Sequence, residues 1–310
     1  MELYVYRGNK KIGLLDIKAN EPFFGFTYDR EYLNSPEALP LSLSLPLTAS
    51  RYPGSLAQPY FEGLLPEGGA RDVISRRLGI PAGSSVKLLK ALGQDCAGDL
   101  TITNKDAELS LKQSYSSDYD IDHYTLLDGG LKGIALKPRE EIPRLQEDTR
   151  LSLAGGQEKI ALFHCDDYPI NDGWYIPLQG APSTHIIKPG LLEAHYPNVT
   201  LNEFLCLRAS AACGIKTANA YILFPETPVI IIQRYDRLLD DKAHKVPTRI
   251  HQEDLCQACG VISSFKYEHD GGPGYKQIRD LLSITSKRPF EDINTLVKWG
   301  LFNYLGSTEK

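Results

Sequence analysis

The stretch Ser152-Leu153-Ala154-Gly155-Gly156-Gln157-Glu158-Lys159 constrains this chain most. Strand-like sequence flanks it, Arg150-Leu151-Ser152-Leu153 before and Ile160-Ala161-Leu162-Phe163 after. Two adjacent glycines reach positive φ freely and leave backbone N–H groups open to close approach by an anion. Lys159 adds a positive charge. Two readings fit: a tight hairpin whose glycines serve only the turn, or a loop that cradles a phosphate. The sequence downstream shifts the weight toward the second.

A chain of 310 residues has room for two domains, or for one large domain with an appendage. Its 42% apolar and 24% charged residues are ordinary for a globular protein, and a net charge of −5 argues against whole-chain electrostatic binding to DNA or membranes. The cysteines at 96, 165, 206, 213, 256 and 259 are scattered rather than framed for disulfides, which suits a reducing cytoplasm. Cys256-Gln257-Ala258-Cys259 lies near His251, but no second ligand pair follows at zinc spacing, so no metal site is expected. No apolar run approaches the ~18 residues of a membrane span.

In chain order, residues 1–28 read as strands, with Leu3, Val5, Ile12, Leu14 and Ile17 alternating with polar residues. Leu41-Ser42-Leu43-Ser44-Leu45-Pro46-Leu47 alternates strictly and predicts a half-buried strand. A helix, a Pro/Gly break at Pro66 to Gly68 and a second helix follow, then a helix over Val86 to Leu92 and a strand at Gly98 to Ile102. The first 105 or so residues thus form a small α+β unit. Residues 106–150 read as a linker and short helical stretches broken by Pro138. From 151 come the glycine stretch, strands at Trp174 to Pro177 and Thr184 to Pro189, and a helix from Asn202 through Cys213. Strands at Ala218 to Phe224 and Val229 to Ile232 come next, then a linker. Helices dominate from about 241 to 310: Gln252 to Cys259, Gly274 to Leu282 and Pro289 to Tyr304.

That order is the order of a protein-kinase small lobe, in which a glycine-rich loop covers the phosphates, a strand lysine contacts them and a helix glutamate holds the lysine. Lys188 takes the lysine role and Glu203 the glutamate role. Val229 to Ile232 becomes the adenine edge and Gln233-Arg234-Tyr235 the hinge. Taken singly, Lys188 is as well read as a surface lysine, and Glu203 as an N-terminal helix charge favoured by the dipole.

Seven motifs in order resemble the HipA-type toxin kinases: Ser42 to Leu47, Phe61 to Pro66, Ser152 to Lys159, Thr184 to Lys188, Arg234-Tyr235-Asp236-Arg237, His251 to Gln257, and Tyr267-Glu268-x-Asp270-Gly271-Gly272-Pro273-Gly274. The resemblance implies an α+β fold: a small N-terminal subdomain, a kinase-like ATP-binding lobe over 151–240, and the first helices of a large lobe. It implies a bacterial serine/threonine protein kinase of a toxin–antitoxin module. A HipB-like helix-turn-helix antitoxin would be the partner, with DNA reached only through that antitoxin. An aminoacyl-tRNA synthetase would be the substrate, as in family members that phosphorylate glutamyl-tRNA synthetase and promote persistence. By the same resemblance Ala154, Gly155, Gly156, Gln157, Glu158 and Lys159 form the phosphate loop, and Lys188 is the ATP lysine. Gln233, Arg234 and Tyr235 hold the hinge, with Gln233 where the family often has glutamate, and Ser152 matches the family's autophosphorylated serine.

The family's catalytic loop, with its aspartate base and magnesium ligands, should follow Leu301-Phe302-Asn303-Tyr304-Leu305. Here Gly306-Ser307-Thr308-Glu309-Lys310 follows, with Glu309 nearest the place of the base. A glutamate on a fraying end is poorly positioned for catalysis. The expectation is therefore a kinase truncated before its catalytic loop, binding ATP but inactive alone. The alternatives are a pseudokinase that binds a HipB-like antitoxin or a related kinase, and a nucleotide-binding module unrelated to kinases.

Overall fold

Alternating apolar residues on either side of the turn Arg7-Gly8-Asn9-Lys10 build the first hairpin, β1 (Glu2–Arg7) and β2 (Lys10–Asp16), which bury Leu3, Val5, Ile12 and Leu15 completely or nearly so. The computed structural model describes residues 2–18, 24–104, 123–190, 198–240 and 244–306. β3 (Gly25–Tyr28) and β4 (Leu100–Thr103) complete an antiparallel sheet of order β3-β2-β1-β4. Gly13 is required there, because a Cβ would stand 2.4 Å from the ring of Phe26. After the short α1 (Arg30–Leu33), α2 (Gly54–Glu62) lays Tyr60 and Phe61 against the sheet, with Phe61 edge-on to Phe24. α3 (Gly68–Leu78) ends at Gly79, whose φ is +63°, and α4 (Ser85–Leu92) buries Leu88, Leu89 and Leu92.

A second sheet carries the other core. Its strands are β5 (Tyr124–Leu126), β6 (Ile160–His164), β7 (Trp174–Pro177), β8 (His185–Pro189), β9 (Ala220–Leu223) and β10 (Val229–Gln233), in the order β5-β7-β6-β8-β10-β9, all antiparallel. α5 (Lys132–Leu136) and α6 (Pro138–Thr149) cover one face, burying Ile134, Ile142 and Leu145 against Ile160, Ile187 and Ile231. α7 (Val199–Ala212) packs on β9 and β10 and stops at Gly214, φ +73°. A small hairpin, β11 (Arg237–Asp240) and β12 (His244–Arg249), leads to α8 (Leu255–Cys259), α9 (Tyr275–Thr285) and α10 (Pro289–Gly306). α10 exposes Phe290, Val297, Trp299, Leu301 and Tyr304. The fold is a mixed α+β arrangement of antiparallel sheets and helices. No described helix is long and apolar enough to cross a membrane.

Four sequence expectations need correction. Leu41 to Leu47 is a turn, not a strand: Leu45 N donates to Ser42 O at 3.0 Å, and the Tyr28 hydroxyl donates to Leu45 O while accepting from Leu41 N. Leu41 and Leu45 are therefore buried while Leu43 and Leu47 face outward, a period of four rather than two. Arg150 to Leu153 does not pair with β6, because both edges of β6 are taken by β7 and β8. Arg150 instead adopts φ +50° at the end of α6, and Leu151 bridges to Asp95. The break expected at Pro138, by contrast, is present: α5 ends at Leu136, Lys137 is non-helical, and Pro138 opens α6 at its first position, where its missing N–H costs nothing. The segment expected as a linker after β10 forms β11 and β12. The helix expected from Gln252 begins at Leu255, where Asp254 and Gln257 make a reciprocal capping box.

Candidate nucleotide site

Strand β8 alternates buried and half-buried residues, which places Ile187 in the core and Lys188 on the opposite face. Lys188 Nζ lies 2.5 Å from Glu203 Oε1, a pair that is partly exposed. Helix α7 starts three residues before the sequence suggests, so Glu203 sits one turn inside it rather than at its start. β8 lies between β6 and β10, and Lys188 pairs with Ile230. The lysine is therefore carried on a strand held on both sides.

The glycine stretch runs beside the N-terminal unit. Gln94 N donates to Arg150 O at 3.1 Å, Ser152 N to Asp95 O at 3.1 Å, and Glu67 N to Gly155 O at 3.2 Å. The Ser152 hydroxyl, fully buried, donates to Leu64 O at 2.6 Å. Gly155 has φ +98°, a backbone conformation that favours glycine, and a Cβ on it would stand 2.7 Å from the movable end of Lys159, at Nζ. Gly156 is exposed, and a Cβ there would meet only Glu67 O, at 3.7 Å.

Lys159 folds back beneath its own loop and donates to Ala154 O. Burial, and next the like charge of Lys188, push its pKa down from 10.5 to about 8, while Glu67 and Glu203 oppose the shift. Gly155, Lys159, Lys188 and Glu203 thus share one electrostatic neighbourhood. Glu158 turns away from it toward α6, with Oε1 3.9 Å from Arg139 Nε and Oε2 buried without a hydrogen-bond partner; burial raises its pKa.

The hinge residues divide. β10 is paired on both sides, so Val229 to Ile232 present no free backbone edge, and any edge for a base begins beyond them. Gln233 holds Asn219 through backbone and side chain, at 2.9 and 2.8 Å. Tyr235 is exposed and donates its hydroxyl to Gln252 Oε1 at 2.6 Å. Arg234 is buried, its guanidinium donating to Ser183, Asp236 and the Cys96 carbonyl. Glu309 lies outside the described residues.

Sequence reasoning missed the charged cluster behind the hinge. Asp95 receives Arg237 at 2.8 Å, Arg249 at 2.9 Å and Arg234 at 3.4 Å, all nearly buried. Burial alone would raise the Asp95 pKa; the three guanidinium groups hold it well below the usual carboxylate range. Asp236 accepts from Gly98 N at 2.7 Å. The Arg234-to-Arg237 motif therefore fastens the second sheet to the 95–98 turn of the N-terminal unit. The Ser42 and His251 motifs also meet: Ser42 Oγ donates to Glu253 at 2.5 Å and Ser44 Oγ to Gln257 O at 2.7 Å. The Cys256 and Cys259 thiols are pushed up by burial, and among the described residues no group of three or more His, Cys, Asp or Glu side chains could hold a metal ion.

Comparison with known proteins accounts for both halves. Residues 151–309 match the model of the HipA-like C-terminal domain, and residues 3–103 match that of the HipA N-terminal domain. The chain belongs to the HipA family. It is 36% identical to a putative kinase, Y4mE, of Sinorhizobium fredii NGR234, over 90% of this chain and 64% of that protein. It is 29% identical to the serine/threonine-protein kinase toxin HipA of Shewanella oneidensis, over 98% of this chain and 68% of the toxin. The HipA-family fold is also seen in a solved HipA chain from Shewanella oneidensis MR-1, in a complex with HipB and operator DNA: TM-score 0.74 at 24% identity, covering 99% of this chain and 70% of that one. Against Y4mE and this toxin, then, the chain spans about two thirds of the relative's length.

Proposed function

We propose that this chain is the ATP-holding portion of a HipA-type serine/threonine kinase from a toxin–antitoxin pair. The carrying observation is the Lys188–Glu203 pair at 2.5 Å, with Lys188 on strand β8, Glu203 on α7, and Lys159 in the glycine loop just before the neighbouring strand β6. ATP would be held by backbone N–H groups around Gly155 and Gly156 and by the Lys188 ammonium, which Glu203 orients. The residues present fit a polyanion: a loop that turns at positive φ on Gly155, and two lysines, Lys159 and Lys188, close enough to act on each other's charge. When bound, ATP supplies the phosphoryl group. This chain's own residues bind and orient it, and Lys159 braces the loop from beneath.

Magnesium is expected for the family; among the described residues no group of three or more His, Cys, Asp or Glu side chains could hold it. A HipB-like antitoxin is the proposed partner, and what supports it is the solved HipA chain of the same fold, found together with HipB. Equilibrium dialysis with ATP tests the reading: wild type should bind, and Glu203→Gln should bind several-fold more weakly because Lys188 loses its orienting charge. Equal binding by the two would reject it.

A further inference from the structure

The motif Tyr267 to Gly274 has no part in the nucleotide contacts above, yet its geometry is demanding. Gly272 N donates to Tyr267 O at 2.9 Å, and a Cβ on Gly272 would lie 2.4 Å from the carbonyl oxygens of Phe265 and Lys266. The turn therefore closes tightly on the backbone of Lys266. The Lys266 ammonium lies 5.6 Å from the centroid of the Tyr267 ring and 2.8 Å from Glu67 Oε2. Glu67 is the residue before α3, and its N–H donates to Gly155 O at 3.2 Å while Pro66 bridges to Gly155. Three separate parts of the chain meet here: the N-terminal unit, the phosphate loop and the segment preceding α9.

We infer that Glu67 and Lys266 form a latch that positions the phosphate loop, with Lys266 fixing Glu67 and the Glu67 backbone fixing the Gly155 carbonyl. The inference rests on the reading of this loop as the nucleotide site and deepens it. Glu67 and Lys266 act through Gly155 as positioning residues and need not touch the nucleotide. Their effect on the charge of Lys159 places them within electrostatic reach of the same site. An ion pair of this exposure is a modest restraint, worth a few-fold rather than an essential contact.

The test uses the full chain, Lys266→Met, Glu67→Gln and the exchange Glu67→Lys with Lys266→Glu. Amide hydrogen exchange is read without nucleotide, and ATP affinity is read separately. Each single variant should speed exchange at 154–157 by about threefold and weaken ATP by a similar factor, and the exchanged pair should recover at least half of the loss. Unchanged exchange at 154–157 would overturn the latch. So would faster exchange spread evenly over the N-terminal unit, because that marks a general stability effect. If wild type binds no ATP, the nucleotide reading fails, while the exchange measurement still decides whether the latch holds the loop.

Discussion

Arg237 reaches back 142 residues in sequence to place its guanidinium 2.8 Å from the Asp95 carboxylate, and both side chains are buried. Arg249 and Arg234 converge on the same carboxylate. Removing one partner of such a cluster leaves uncompensated buried charge. Asp95→Asn should destabilise the protein by about 3–5 kcal/mol, read as a lowered denaturant midpoint.

The same carboxylate gives a pH dependence of known sign. Its folded pKa lies below the ordinary value of 3.8, so the stability it contributes is complete above about pH 4 and declines as pH falls toward the folded value. Acid unfolding of wild type should therefore be steeper below pH 4 than that of Asp95→Asn. Equal slopes would contradict the assignment.

How much of this was legible in the sequence depended on distance along the chain. Lys188 and Glu203 could be paired in advance because a strand, a helix start and fifteen residues of separation limit where each side chain can point. The turn at Gly155 and Gly156 was legible for the same local reason. Asp95 was not, because its partners lie 139 to 154 residues away and an isolated aspartate in a turn carries no signal. Alternation misled at Leu41 to Leu47: a turn of period four, with Leu43 and Leu47 facing outward and Ser42 buried against Glu253, looks like a strand when only apolar and polar are counted. Arg234 was read as hinge from its place after β10. Its buried guanidinium, tied to Asp236 and Ser183, became visible only once the second sheet met the 95–98 turn.

Ser152 is fully buried, and its hydroxyl donates to Leu64 O at 2.6 Å. Ser152→Ala should cost about 1 kcal/mol and leave the loop in place. Ser152→Asp puts a buried charge beside the Leu64 carbonyl oxygen, and should release the loop. Amide exchange at 152–157 should rise at least about tenfold in the aspartate variant and little in the alanine variant.

Lys159 has a folded pKa of about 8 against 10.5 unfolded, so between those values the unfolded chain binds more protons. Stability should then rise as pH increases from 8 to 10.5, and Lys159→Met should lack that rise. Urea midpoints at about pH 7.5 and about pH 9.5 check it. An added polyanion favours the charged lysine, so ATP binding at pH 8 should take up about half a proton, measured by calorimetry in buffers of different ionisation enthalpy.

Gly155→Ala places a side chain at φ +98° and 2.7 Å from Lys159 Nζ. The strain is local and should weaken ATP by at least about tenfold, with little change in the thermal midpoint of the N-terminal unit.

The most direct measurement is a calorimetric titration of ATP into wild type and Lys188→Ala. The Lys188 ammonium, oriented by Glu203, contributes a charge-assisted contact worth about 1.5–3 kcal/mol, so the variant should bind about ten- to a hundredfold more weakly. No heat from wild type, or equal affinities for the two proteins, would contradict the claim that this site holds a triphosphate.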